Sequence, residues 1–424
     1  MNVTKLLSEA SNLHQTGRLV EAKTIYQKII AKYPKNFEAR NLLGAVCFQR
    51  GEYEEAIRQI DAALRVNPNA AFAHNNRGRI LVNLQKLDES LTSFDRAISL
   101  QPNYPEALIN RGNALRGVKR FNDALASFER AIALGAHYAE AFCGRGLSLQ
   151  ELNRREEALA SFERAIALKP DFVEAYNHRA VALREMRRLD EAIASFDRAI
   201  ALSPANAAAY NNRSATLREL GRLGEALASC ERAIALKGDF AEAYNNRGLT
   251  LRQLMRLGEG LASYDRAIAL NPGYAEAYNN RGIMLAELMR LEEALASYER
   301  AISLKPDFAE AHSNLLFSLN YDDKLPPDRL FEAHLEWNER YGRRVPRPVA
   351  HANERDAGRR LRIGYISRDF RSHSVAHFVE PLLKNHNRQA MEVFCYAEVI
   401  ATGRGYRASP KLCRSLAGDD WAVR

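Results

Sequence analysis

Six asparagines, Asn76, Asn110, Asn212, Asn246, Asn280 and Asn314, fall on a single 34-residue grid. A carboxamide can both donate to and accept from a peptide group, so such a row could hold an extended backbone without reading much of its sequence. Asparagine is a middling helix former, and its recurrence inside a helix asks for a reason. Two reasons stand open on chemistry alone: a ladder for another chain, or a duplicated residue that bonds only to an adjacent helix or to solvent. Leu42, Gly144 and His178 interrupt the grid, so the longest unbroken run extends from Asn212 to Asn314. A second candidate is His373, in the segment SRDFRSHSVAH. An imidazole at a helix start could bond a sugar or phosphate oxygen or assist proton removal; the plainer alternative is a capping or solvent-facing histidine. His377 follows one turn later, but no third ligand accompanies the pair, so zinc is discounted and packing is its expected role. The five cysteines are scattered with no CxxC pair, which argues for reduced packing thiols rather than a redox or metal centre.

The chain has 424 residues, of which 46% are hydrophobic and 27% charged, with a net charge of +9. Basic and acidic residues alternate in DRA and ERA triplets, which disfavours a nucleic-acid groove. No apolar stretch is long enough to span a bilayer, and the opening MNVTKLLSEASNLHQTGRLVEA lacks a signal peptide's apolar block. The expectation is a cytoplasmic protein with no membrane or nucleic-acid partner.

The elements that must position the asparagines follow from the same period. Pro34, Pro68, Pro102, Pro170, Pro204, Pro272 and Pro306 lie on a 34-residue grid, with Ala136 and Gly238 at the two vacant points. Nine units result, from Val3–Asn36 to the one that starts at Ala275, followed by a half-unit from Ala309 to about Asn320. Gly44, Gly78, Gly112, Gly146, Gly248 and Gly282 stand at position 8, where a missing Cβ lets a second helix approach. Alanines such as Ala158 answer them from position 20. Aromatic rings at position 24, Phe94 to Tyr298, are expected to fill the gap toward the next unit, and proline ends the second helix. Gly260 at position 20 and Cys230 at position 24 under-fill this scheme, so the unit 241–274 is the expected soft point. Arginines at position 7, such as Arg77 and Arg281, are expected to lay their stems over the interface while reaching water.

This pattern resembles the tetratricopeptide repeat family. The fold expected is mainly α, a right-handed α-solenoid over residues 3–320, followed by a helix and basic linker at 321–360 and a short incomplete α/β segment at 361–424. A helix should run from Pro326 to about Tyr341, with a linker at 342–360. LRIGYIS at 361–367 and EVFCYAEV at 392–399 read as strands around a helix at 375–386, the opening of a right-handed βαβ unit.

The words RRLRIGYISRDFRSHSVAHFVEPLLKNHNRQAMEVFCYAEV resemble the start of the catalytic region of SPINDLY-type protein O-linked N-acetylglucosamine transferases, and the array before them is similar to that family's superhelix. The resemblance implies two Rossmann-like lobes in a GT-B arrangement. It implies transfer of N-acetylglucosamine from a uridine diphosphate donor to serine or threonine of proteins. It places the six asparagines on the inner surface against substrate polypeptide, and His373 beside donor and acceptor. These residues do not include the family's nucleotide-binding second lobe. The expectation is therefore a peptide-gripping array without activity alone, needing no cofactor, and using UDP-GlcNAc as donor only if that lobe is supplied. The alternative is a non-enzymatic adaptor between proteins; a homo-oligomer is compatible with either. A chaperone-tail clamp is rejected, because Leu7 and Ser11 occupy the places of its lysine and asparagine.

Overall fold

The computed structural model describes residues 3–135, 137–342, 361–366 and 391–396. Eighteen helices pair into nine hairpins. The first three are α1 (Val3–Gln15) with α2 (Leu19–Lys32), α3 (Phe37–Gln49) with α4 (Tyr53–Val66), and α5 (Ala71–Asn83) with α6 (Leu87–Leu100). Next come α7 (Pro105–Gly117) with α8 (Phe121–Leu134), α9 (Ala139–Glu151) with α10 (Arg155–Leu168), and α11 (Val173–Glu185) with α12 (Leu189–Leu202). The last three are α13 (Ala207–Glu219) with α14 (Leu223–Leu236), α15 (Ala241–Gln253) with α16 (Leu257–Leu270), and α17 (Ala275–Glu287) with α18 (Leu291–Leu304). The half-unit forms α19 (Ala309–Leu319), and α20 (Pro327–Arg340) packs against it. Proline suits the first turn of α20, because an N–H there would have no helical partner.

Each hairpin turn is closed by the backbone. Between α5 and α6, the Lys86 N–H donates to the Leu81 carbonyl at 2.9 Å and the Gln85 N–H to that of Val82 at 3.0 Å, the paired bonds of a Schellman closure. That geometry needs a left-handed residue at the pivot. Gly17, Gly51 and Gly221 supply it in three hairpins, whereas Gln85, Lys119, Asn153, Arg187, Met255 and Met289 are held at φ of about +60° in the others.

Packing within a hairpin centres on a ring seated over a glycine. A Cβ added at Gly78 would lie 2.5 Å from Phe94, one at Gly112 would lie 2.7 Å from Phe128, and one at Gly282 would lie 2.5 Å from Tyr298. The rings therefore cover the glycine of their own hairpin, a contact beyond the expected filling of the gap toward the next unit. Phe128 does both, since a Cβ at Gly144 of the following unit would stand 2.4 Å from it.

At the expected soft point, the under-filling at Gly260 is corrected. Met284, fully buried on α17, reaches back into the space beside Gly260, where an added Cβ would meet its terminal carbon at 2.6 Å. An unbranched thioether can fill such an irregular gap. At the ring-less junction, Ser214 stands where most units carry glycine, and the Ser214 and Thr250 hydroxyls donate to the Asn211 and Asn246 backbone carbonyls at 2.6 and 2.8 Å. Cys47, Cys143 and Cys230 are free and buried, as expected of packing thiols. Burial pushes the Cys47 and Cys143 thiols up to about 12.

Successive first helices touch one another along the array, from α1 on α3 to α17 on α19, and no comparable contact joins successive second helices. The first helices thus form the more closely spaced layer, the one that carries the asparagine grid.

The chain divides into two compact units, residues 1–343 and 344–424. In the second, β1 (Leu361–Ile366) and β2 (Met391–Tyr396) pair in parallel, with Leu361 opposite Met391 and Ile366 opposite Tyr396. Both expected strands are present, and parallel pairing requires a crossover connection between them. The helix expected at 375–386 lies outside the described residues, as does the linker beyond residue 342.

Candidate functional site

The six asparagines at position 6 of the first helices are half-buried. Five of the six grid asparagines donate an amide N–H to the asparagine at position 5 of the preceding unit. Asn76 reaches Asn41 at 3.4 Å, Asn110 reaches Asn75 at 3.0 Å, and Asn246 reaches Asn211 at 2.8 Å. Asn280 reaches Asn245 at 2.9 Å and Asn314 reaches Asn279 at 3.0 Å. The position-5 partners are buried, so their carbonyls need this bond. One side-chain hydrogen is thereby spent on the fold. The Oδ1 acceptor and the second N–H of each position-6 amide remain on a side chain that is only partly covered.

The sequence expectations do not include the position-5 asparagines, although the NN doublet signals Asn75, Asn211, Asn245 and Asn279; Asn41, in ARNLLG, has no such signal. Asn212 is the exception to the series. Its would-be partner, Asn177, has a buried Oδ1 with no hydrogen bond. The interruptions at Gly144 and His178 are packing sites: the first is covered by Phe128, and the His178 ring stacks on Phe162 with centroids 5.9 Å apart. Burial, assisted by the nearby Arg116 charge, lowers the His178 pKa and favours its neutral form.

The arginines at position 7 form a second series. Arg111 donates to Asp95 of the preceding unit at 2.6 Å and to Ser127 of its own second helix at 2.7 Å. Arg213 does the same with Asp197 and Ser229, and Arg281 with Asp265 and Ser297. These side chains stay partly exposed, as expected, and their guanidinium groups also staple three helices, because serine at position 23 and the acid of the DRA or ERA triplet face them from both sides. An open groove of about 520 Å³ lies farther along the first helices, lined by Phe48, Arg79, Val82, Asn110 and Asn113 among others.

Overlapping matches to the tetratricopeptide repeat family run without a gap from residue 50 to residue 273, more than half of the chain. The chain is a tetratricopeptide repeat protein. Further matches to the same repeat cover residues 13–75 and 275–308. Glycosyl transferase family 41 matches residues 344–413 of this repeat protein. It is 37% identical over 102 residues to the probable UDP-N-acetylglucosamine–peptide N-acetylglucosaminyltransferase SPINDLY of Arabidopsis thaliana, which is 24% of this chain and 11% of that protein. An O-GlcNAc transferase mutant of Thermobaculum terrenum is similar at 30% identity over 52% of this chain and 41% of that one, with a TM-score of 0.41. YrrB, described as a tetratricopeptide protein with an unusual peptide-binding site, is similar at 26% identity over 43% of this chain and 95% of that one, with a TM-score of 0.35. The chain spans about a tenth of the length of the SPINDLY proteins it matches. It is a repeat scaffold related to the O-GlcNAc transferase family.

His373 and His377 fall within the family 41 match but lie outside the described residues. Among the described residues, no group of histidine, cysteine, aspartate and glutamate could hold a metal ion, and no helix is long and apolar enough to cross a membrane.

Proposed function

We propose that the first-helix face of this repeat protein grips extended polypeptide through Asn76, Asn110, Asn212, Asn246, Asn280 and Asn314. The observation that carries the reading is the half-spent amide. Bonding to the preceding unit orients five of the six carboxamides, and their remaining acceptors recur at the 34-residue spacing within each unbroken run, where the N–H groups of an extended chain can meet them. A backbone-directed ladder suits a protein that handles many sequences. The second reading proposed at the start, a bond to the neighbouring helix, is compatible with this one, because an amide has three hydrogen-bonding directions still to distribute after its first donation.

For residues 344–413 the match to family 41 supports a role at the start of a catalytic region, with His373 beside donor and acceptor. Transfer of N-acetylglucosamine from UDP-GlcNAc to serine or threonine then belongs to a protein that also carries the nucleotide-binding lobe. Capture of polypeptide from a peptide array tests the first part. Asn246→Ala with Asn280→Ala should weaken capture several-fold, and undiminished capture removes the ladder from the proposal. Incubation of the 424-residue chain with labelled UDP-GlcNAc and a serine-containing peptide tests the second, and turnover would overturn the need for a further lobe.

A further inference from the structure

Where position 12 of a first helix carries glutamine or arginine, three of the five residues end in a bond to the next unit. Arg252 donates to Glu287 at 2.8 Å, Arg184 lies 3.3 Å from Glu219, and Gln150 donates to Glu185 at 3.0 Å. Each acceptor is the residue at position 13 of the following first helix, so these bonds run along the same helix layer as the amide ladder.

Arg116 and Arg218 break the rule. Each has a buried Nε with no hydrogen bond, and neither forms an ion pair among the described residues. The reasons differ. After Arg218 the position-13 residue is Gln253, which carries no charge; after Arg116 it is Glu151, whose side chain is exposed and makes no bond to the guanidinium. Burial lowers the Arg116 pKa, and the Glu151 charge nearby partly offsets this without making a bond. Leaving a guanidinium donor dry and unpaired is costly, and a native structure that does so asks for a missing partner.

We propose that Arg116 and Arg218 bind carboxylate side chains of the polypeptide held along the first-helix face, so that the scaffold favours acidic segments. This rests on the polypeptide-binding reading above and adds selectivity to it. The ligand carboxylate makes for Arg116 and Arg218 the kind of contact that Glu219 and Glu287 make for Arg184 and Arg252. Two such positions three repeats apart would select chains with two separated acidic residues. The asparagine amides, which meet the backbone, are indifferent to this choice.

The test uses two pools of fluorescein-labelled peptides, identical except that every aspartate and glutamate of one is asparagine or glutamine in the other. Fluorescence anisotropy with the full chain at low salt should show the acidic pool bound on the order of tenfold more tightly, the strength of a charge-assisted contact. Arg116→Gln with Arg218→Gln should abolish that preference while leaving affinity for the amide pool unchanged. Arg116→Lys with Arg218→Lys, which keeps the charge, should retain part of it and serves if the glutamine variant does not fold. Equal binding of both pools by the unaltered chain would overturn the inference and leave polypeptide binding intact. A preference that survives in the glutamine variant would overturn it too. Binding of neither pool would remove the polypeptide-binding reading itself, and this inference with it.

Discussion

Gly78 has no room for a methyl group, because Phe94 would stand 2.5 Å from it and the ring is fully buried on all sides. Gly78→Ala should therefore destabilise by about 1–3 kcal/mol despite alanine's better helix propensity. Gly260→Ala should behave oppositely. The atom in its way is the end of the flexible Met284 side chain, which can swing aside, and the helical gain of up to about 1 kcal/mol then sets the sign. Thermal melts of the two variants check this, and equal losses of Tm would contradict the assignment of rigid and soft neighbours. At the ladder, the same scale explains why two alternatives for the asparagines could not be separated from residue types. One carboxamide has enough hydrogen-bonding capacity to serve the fold and a ligand together.

At the scale of the element, hairpin closure carries a cost that differs from unit to unit. Met289 is 87% exposed and sits at φ of +59°, so its side chain gains nothing there while its backbone is strained. Met289→Gly should raise stability by about 0.5–1 kcal/mol, and a chemical-denaturation midpoint that falls instead would refute the turn geometry. Junctions between hairpins show a different balance. Glu52, which precedes α4, accepts hydrogen bonds from Lys23 of α2 and from Arg50, and these hold its carboxyl down to about 2. Its folded pKa lies below the unfolded value of about 4.3, so the stabilisation is full above that pH and is lost as pH falls toward 2. Glu52→Gln should cost on the order of 1 kcal/mol at neutral pH and close to nothing at pH of about 2. Tm measured at both pH values decides, and a penalty that does not shrink in acid would dissociate Glu52 from this contact.

For the whole molecule, stability is a sum of hairpins and nearest-neighbour junctions, with no single centre. The buried clusters reflect this, since one gathers residues from Ala10 to Ile80 and another from Leu261 to Tyr298, each confined to adjacent units. Amide hydrogen exchange should be fastest at α1 and α2 and at α19 and α20, which among the described residues stand at the ends of the array, and slowest near α9 to α12. Uniform protection along residues 3–342 would show that the array unfolds as one block. Such additivity also gives a long surface with a repeated chemistry, on which local exceptions such as Arg116 and Arg218 can act without disturbing distant units.

Sequence alone determined the nine hairpins, the half-unit, α20 and the two strands, together with the grid of asparagines. It could do so because each unit repeats the same local stereochemistry, glycine under ring and proline after helix, and the period exposes it. Tertiary structure decided what those residues touch. Asn76 meets Asn41 across 35 positions, Met284 fills the space of Gly260, and the Arg218 Nε is buried without a partner where that of Arg252 meets Glu287. These outcomes depend on how far one hairpin is shifted and rotated against the next, a geometry set by the packing of whole helix faces and carried by no single repeat.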